Sequence, residues 1–247
     1  MFDPEKWERT VSPNWWRKVI YVLNRGGRWW AHADGWSGGQ VRLKYGKMVN
    51  LYLEKAATTR NSMTGEWLKA HAALIPIADA LGRPIRDEGY DLQLITHRTM
   101  LQTKSRTVSN YWLLDRQPEN FLELHPNDAK RLGLTDGSRA RVISATNLEG
   151  VWDLGNGVKV PIVGRIKATE GIRPGIVTFS LGYGHWAYGA NDQVIDGNLV
   201  RGDRRRAAGV HANAAMRLDN YLRTTCLSDV VGGSAVFYDT MVTLKPA

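Results

Sequence analysis

The sequence predicts a mainly β protein: a closed barrel with short helices, preceded by a mixed helical and irregular N-terminal segment. Three observations carry this expectation. From Leu92 onward, short runs of alternating apolar and polar residues recur with turn residues between them. Helical spacing in that region covers only single turns, and the one clear helix, Ser12–Leu23, lies before it. Many short strands with little helix leave exposed edges unless the sheet closes on itself.

The bulk properties fit this class. At 247 residues the chain can bury a core, and 43% hydrophobic content is that of an ordinary globular protein. No apolar run approaches the ~20 residues of a membrane helix. The first residues, MFDPEKWERT, carry neither an apolar signal core nor a twin-arginine pair, so a cytoplasmic location is expected unless an exported partner carries the chain. A net charge of +9 points to an anionic partner: nucleic acid, an acidic protein, or a cofactor with pyrophosphate. Cys226 is the single cysteine, which excludes an internal disulfide and any iron–sulfur cluster held by this chain alone.

Taken in order, Ser12 caps the first helix, Pro13 suits its first turn, and Trp15/Trp16, Val19/Ile20 and Leu23 recur at helical spacing. Trp15, Trp16, Trp29 and Trp30 are expected to meet another chain, because ten tryptophans are a heavy load and aromatic anchors are typical of interfaces. Internal packing explains them equally well. Asp34–Gly46 reads as loop, Val49–Leu53 as a short strand, and Glu66–Leu74 as a helix capped by Thr64 and ended before Pro76. Leu81–Tyr90 links this segment (1–88) to the main domain (89–247).

The main domain opens with a strand at Leu92–Thr96 that runs into a polar cluster containing Arg98, Gln102, Ser105 and Arg106. Hydroxyls and amides orient a ligand, and guanidinium groups bind phosphate through planar, charge-assisted hydrogen bonds. The same groups also suit a solvated loop. Phe121–His125 and Arg139–Ser144 alternate as strands, with a helical turn at Asp128–Leu132 closed by Gly133. Asn156–Gly157 marks a hairpin, Ile176–Ser180 follows the Pro174–Gly175 turn, and Ser234–Leu244 supplies a last strand. Between Leu181 and Gly233 almost no strand signal is present, and a stretch of that length suits a cover over a ligand. It contains His185–Trp186 and the basic run Arg201–Arg206, whose ordinary reading is a solvated face. The histidines show no zinc-like pairing, so no metal site is predicted, and no nucleophile elbow or phosphate loop is present.

Four blocks in one order resemble the C-terminal cofactor-binding domain of the dimethyl-sulfoxide-reductase family of molybdenum and tungsten oxidoreductases. They are Thr96–Thr107, Glu123–Ser144, Ile172–Trp186 and Asn213–Leu244, and the tetrathionate and arsenate reductase branch is particularly similar. Asn24–Arg28 and Leu51–Gly65 look like the segment preceding that domain in the same branch. The resemblance implies a double-psi β-barrel holding molybdopterin guanine dinucleotide. It implies that Thr96, Arg98, Gln102, Ser105 and Arg106 hold phosphate and fix orientation, that His185 and Trp186 enclose the pterin, and that Asn213 and Tyr238 complete the site. Gln102 departs from the branch, where histidine is common, and cannot carry charge. The cluster cysteines, metal ligand and central domains of such enzymes do not appear. The resemblance therefore implies a C-terminal part that is not catalytic alone, with molybdenum or tungsten held jointly with a partner chain that carries the metal ligand and iron–sulfur cluster. The rival expectation is a basic barrel that binds nucleic acid or an acidic protein without redox chemistry.

Overall fold

A computed structural model describes residues 9, 11–24, 35–41, 51–187 and 189–247. The chain divides into two compact units, Met1–Leu51 and Tyr52–Ala247.

In the first unit, α1 (Pro13–Asn24) starts where Ser12 offers its carbonyl to the Trp15 and Trp16 amides. Trp15 is 56% exposed and Lys18 lies 4.6 Å over its ring, whereas Trp16, Val19 and Ile20 are half-buried. Trp29 and Trp30 lie outside the described residues, as does the start of the expected Val49–Leu53 strand; its described part, Leu51–Leu53, is not a strand. The expected loop Asp34–Gly46 contains a small hairpin, β1 (Trp36–Ser37) and β2 (Gln40–Val41).

The second unit begins with α2 (Glu54–Ala57), and the helix expected at Glu66–Leu74 does not form. Residues 59–68 instead fold back on themselves. Arg60 and Trp67 form an antiparallel bridge, the Leu68 amide donates to Thr59, and the Arg60 guanidinium lies 3.8 Å from the Trp67 ring. Backbone groups engaged in that pairing are lost to an intrahelical ladder. The segment is tied to later chain by carboxylates. Asp219 accepts from the Ala80 amide at 2.7 Å, and Asp87 pairs with Arg217 at 2.7 Å with both side chains 4% exposed.

The barrel is closed by six strands, β3 (Leu92–His97), β4 (Phe121–Leu124), β5 (Arg139–Ser144), β8 (Val163–Ala168), β9 (Ile176–Ser180) and β12 (Thr240–Pro246). Their order is β12-β3-β9-β4-β8-β5. β3 runs parallel to β9 and β4 to β8, while the other contacts are antiparallel. This is the expected mainly β architecture, a double-psi barrel. Leu92, Leu94, Leu122, Leu124, Val177 and Phe179 are at most 1% exposed, each contributing ~1.5–3 kcal/mol by burial. Gly164 admits no side chain, because a Cβ there would lie 2.8 Å from Leu122 Cγ.

Short helices punctuate the connections: α3 (Tyr111–Arg116), α4 (Pro126–Arg131) and α5 (Ala212–Ala215). The Asn156–Gly157 hairpin joins β6 (Val151–Asp153) to β7 (Lys159–Pro161), the Leu154 amide donating to the Val158 carbonyl across a loop wider than two residues. The last strand starts at Thr240, later than expected. Residues 229–234 form a local turn in which the Asp229 amide donates to Ser234, and Ser228 pairs with Ala235. The stretch read as strandless holds a hairpin, β10 (Gln193–Ile195) and β11 (Asn198–Val200), turned by Asp196 and Gly197 with φ of 50° and 78°. Among the described residues no helix is long and apolar enough to cross a membrane.

Candidate functional site

Parallel β3 and β9 end side by side, so the chain following each leaves from the same rim of the barrel. His97 Nδ1 lies 2.8 Å from Thr178 Oγ1, and the Leu181 amide donates to the His97 carbonyl. The segment after β3 forms a 3₁₀ turn, Lys104–Thr107, and the segment after β9 is the glycine-rich run Leu181–Trp186. A third segment, Gly209–Asn213, comes from the middle of the strand-poor stretch.

Glycine lets the three meet. A Cβ on Gly182, whose φ is +103°, would lie 2.6 Å from the Lys104 carbonyl oxygen. One on Gly184, at φ +67°, would lie 2.3 Å from the His211 backbone nitrogen. Neither position has room for a side chain, and both backbones favour glycine. Asn120, 1% exposed, ties the rim together: its Nδ2 donates to the Ser180 and Val210 carbonyls and its Oδ1 accepts from the Val210 amide. Tyr183 is buried and donates to the Gln117 carbonyl at 3.2 Å.

Two adjoining spaces result. A cavity of about 190 Å³ is lined by Lys104, Ser105, Gly182, His185, His211 and Asn213, among others. A more open groove of about 470 Å³ is lined by Arg98, Thr103, Lys104, Ser105 and Arg106. Lys104 and Ser105 belong to both, and Lys104 itself stands at φ +50°, a backbone region that non-glycine residues rarely occupy.

Of the residues singled out from the sequence, Ser105, His185 and Asn213 therefore face the cavity, and Arg98 and Arg106 line the groove beside it. Thr96 and Gln102 are buried behind them, at 5% and 4% exposure. Gln102 accepts from the Thr107 hydroxyl at 2.6 Å and lies against the Tyr183 hydroxyl, so it braces the 3₁₀ turn. Trp186 and Tyr238 line neither space. Trp186 is half-buried with Arg204 5.8 Å from its ring, and Tyr238 is 52% exposed, its carbonyl accepting from Gln93 Nε2 at 2.8 Å. Tyr238 precedes the final strand instead of lying within it.

Sequence reasoning missed Lys104, His211 and Phe237 in the cavity wall and Asn120 beneath it. His211 was within reach, since it follows Gly209–Val210 and precedes Asn213 by two residues. Burial lowers both histidines. The His211 imidazole, which also faces His185 at a ring separation of 5.1 Å, falls to about 4, while a Gly182 backbone hydrogen bond partly offsets the fall at His185. Both rings are neutral at pH 7 and can donate or accept according to tautomer. The basic run is not uniformly solvated. Asp203 binds Arg205 at 2.7 Å, which with the Arg205 amide holds that carboxyl well below the usual range, and Arg206 donates to the Tyr111 hydroxyl at 2.8 Å. Among the described residues no group of three or more His, Cys, Asp or Glu could hold a metal ion.

A cavity with neutral hydrogen-bonding rings, beside a groove of guanidinium and ammonium groups, suits a molecule with a polar heterocycle joined to phosphate. The comparisons with known proteins agree with that chemistry. Residues 92–220, more than half of the chain, match the family described as "Molydopterin dinucleotide binding domain". The chain is similar to a selenate reductase subunit from Mesobacillus selenatarsenatis, 43% identical across 99% of this chain and 23% of the relative. It is also similar to a tetrathionate reductase subunit from Archaeoglobus fulgidus, 28% identical across 72% of this chain and 16% of that protein. The arsenate respiratory reductase molybdopterin-containing subunit from a Shewanella species is 24% identical across 94% of this chain and 25% of its own length. The chain thus spans a quarter or less of each of these relatives. With more than half its length matched and the rim geometry in agreement, the chain belongs to the molybdopterin-dinucleotide-binding domain family of the molybdopterin oxidoreductases.

Proposed function

We propose that this domain holds molybdopterin guanine dinucleotide for a reductase whose metal ligand and iron–sulfur cluster are supplied by other polypeptide, molybdenum or tungsten being held between them. The observation that carries this reading is the shared wall: Lys104 and Ser105 line both the smaller cavity and the basic groove. A heterocycle in the first would leave its phosphates beside Arg98 and Arg106. The residues fit such a group by their own chemistry. The glycine cradle excludes side chains, His211 Nδ1 is buried with no hydrogen-bond partner among the described residues, and the groove offers cations without a lining carboxylate. The bound cofactor supplies the redox chemistry; this chain binds it, orients it and shields its polar edge from water. Ser105 and Asn213 would hydrogen-bond the ligand, and the buried Thr96 and Gln102 would support the rim, while Trp186 and Tyr238 would reach the ligand only beyond these two spaces. Relatives named as selenate, tetrathionate and arsenate reductases support an oxyanion as the electron acceptor of the assembled enzyme.

The test is cofactor content. Arg98→Ala should weaken retention of the dinucleotide by about 2 kcal/mol, the scale of a charge-assisted contact, and Arg98→Lys should recover part of it. Guanine nucleotide released from purified complexes of wild type and both variants is the readout, with thermal melts as the folding control. Equal content in all three would refute the groove as the phosphate site. Under the nucleic-acid alternative, the same substitution would lower the salt slope of binding by about one and leave dinucleotide content unchanged.

A further inference from the structure

Behind the cavity wall, Trp152 lies on β6, a strand of the β6–β7 hairpin that pairs with no barrel strand. Its ring stacks on that of His211, with centroids 4.6 Å apart and planes tilted by 34°. His185 meets the same imidazole edge to face, at 5.1 Å and 84°. His211 thus contacts two rings contributed by separate segments. Its backbone is fixed as well, because Gly184 packs directly on its amide nitrogen.

We propose that Trp152 is a positioning residue for the bound heterocycle, holding the His211 imidazole in the one plane from which a ring nitrogen can hydrogen-bond the ligand's polar edge. This rests on the reading that the cavity takes the pterin part of the cofactor. An aromatic face is a surface against which an imidazole ring cannot rotate without losing contact. It also excludes water from the ring, so the group stays uncharged. A buried ring nitrogen without a protein partner costs free energy until something supplies one, and a heterocycle edged with N–H and C=O groups does so. The titratable groups that line the cavity with His211 are His185, Lys104 and Tyr183, and Asp153, next to Trp152 in sequence, is exposed. Burial is the larger cause of its lowered basicity and His185 the smaller. Removing the indole would admit water and move the imidazole back toward ordinary behaviour.

Two measurements test this, on the full chain and on its purified complex. In the first, NMR titration of His211 in the full chain should give a midpoint at least one pH unit higher in Trp152→Ala than in wild type, with Trp152→Phe close to wild type. In the second, pterin released from the complex should fall at least fivefold in Trp152→Ala and in His211→Ala. The double variant should lose no more than the worse single one, since both act through one ring. Trp152→Phe should retain pterin, which separates positioning from a general loss of folding. An unmoved midpoint, full pterin in Trp152→Ala, or additive losses in the double variant would each overturn the proposal. A wild-type complex devoid of pterin would instead overturn the cofactor reading itself, so the two failures are distinguishable.

Discussion

At the scale of single residues, His211 combines a neutral ring with a stability that depends on pH. Its imidazole titrates near 6.5 when unfolded and at about 4 in the fold, because burial penalises the charged form. Between those values the unfolded chain binds the additional proton, so stability rises with pH. The contribution is present in full above 6.5 and is lost as pH falls to about 4. At 1.36 kcal/mol per unit, and reduced for the solvent that still reaches the ring, it is on the order of 2 kcal/mol. Urea unfolding at pH 7, 5.5 and 4.5 should show a slope in wild type that His211→Gln lacks; parallel slopes would count against a buried neutral ring. Arg217 makes the opposite kind of demand. It is 3% exposed, bonds Asp87 through Nε and Nη2, and also donates to the Leu218 carbonyl and to Asn220. Asp87→Ala leaves that charge buried with weaker partners and should cost about 3 kcal/mol, at the low end for a broken buried pair. A loss under 1 kcal/mol in denaturant titration would mean that the guanidinium finds water.

At the scale of elements, the rim depends on glycine where three segments converge. Gly184→Ala forces a Cβ to within 2.3 Å of the His211 nitrogen and 2.6 Å of the Val210 carbonyl carbon, at a φ that disfavours L-residues. It should cost about 3 kcal/mol and most of the bound cofactor. Gly155→Ala, on the β6–β7 loop with nothing within 4 Å, carries the φ cost alone, about 1 kcal/mol, and should leave cofactor content intact. Equal melts for the two variants would argue against the convergence. The same contrast explains what could be read in advance. Strands β3, β4 and β5 were legible because their alternation reports which face is buried, β9 because it follows the Pro174–Gly175 turn, and Pro126 and Gly133 bracket α4 plainly. The 66–74 helix failed because Trp67 and Leu68 spend their apolar spacing on pairing with residues 59–60, a tertiary choice that periodicity cannot see. The β10–β11 hairpin carried a readable signal in Asp196–Gly197 between apolar pairs, and the length of the loop around it masked that signal. Within the site, arginines and hydroxyls announced an anion, whereas Trp152 and Asn120 act through neighbours distant in sequence and leave no local mark.

At the scale of the whole molecule, the charge, the single cysteine and the open groove describe a holder of a cofactor. An iron–sulfur cluster takes four thiolates, and this chain has Cys226 alone. Among its described residues no set of side chains could fix a metal, and the groove carrying Arg98 and Arg106 faces solvent. Among the described residues, then, nothing assembles a metal-based electron relay to a cofactor held here. The net charge of +9 suits a phosphate-bearing ligand, and charge of that kind contributes no electron path. Viologen-linked reductase turnover should therefore be undetectable for the purified full chain loaded with dinucleotide. It should appear when polypeptide carrying cluster cysteines and a metal ligand is added, in proportion to the complex formed. Retention of the dinucleotide by the chain before that addition is the control that separates missing chemistry from missing cofactor. Turnover by the loaded chain alone would mean that a metal ligand and an electron entry point reside within these 247 residues.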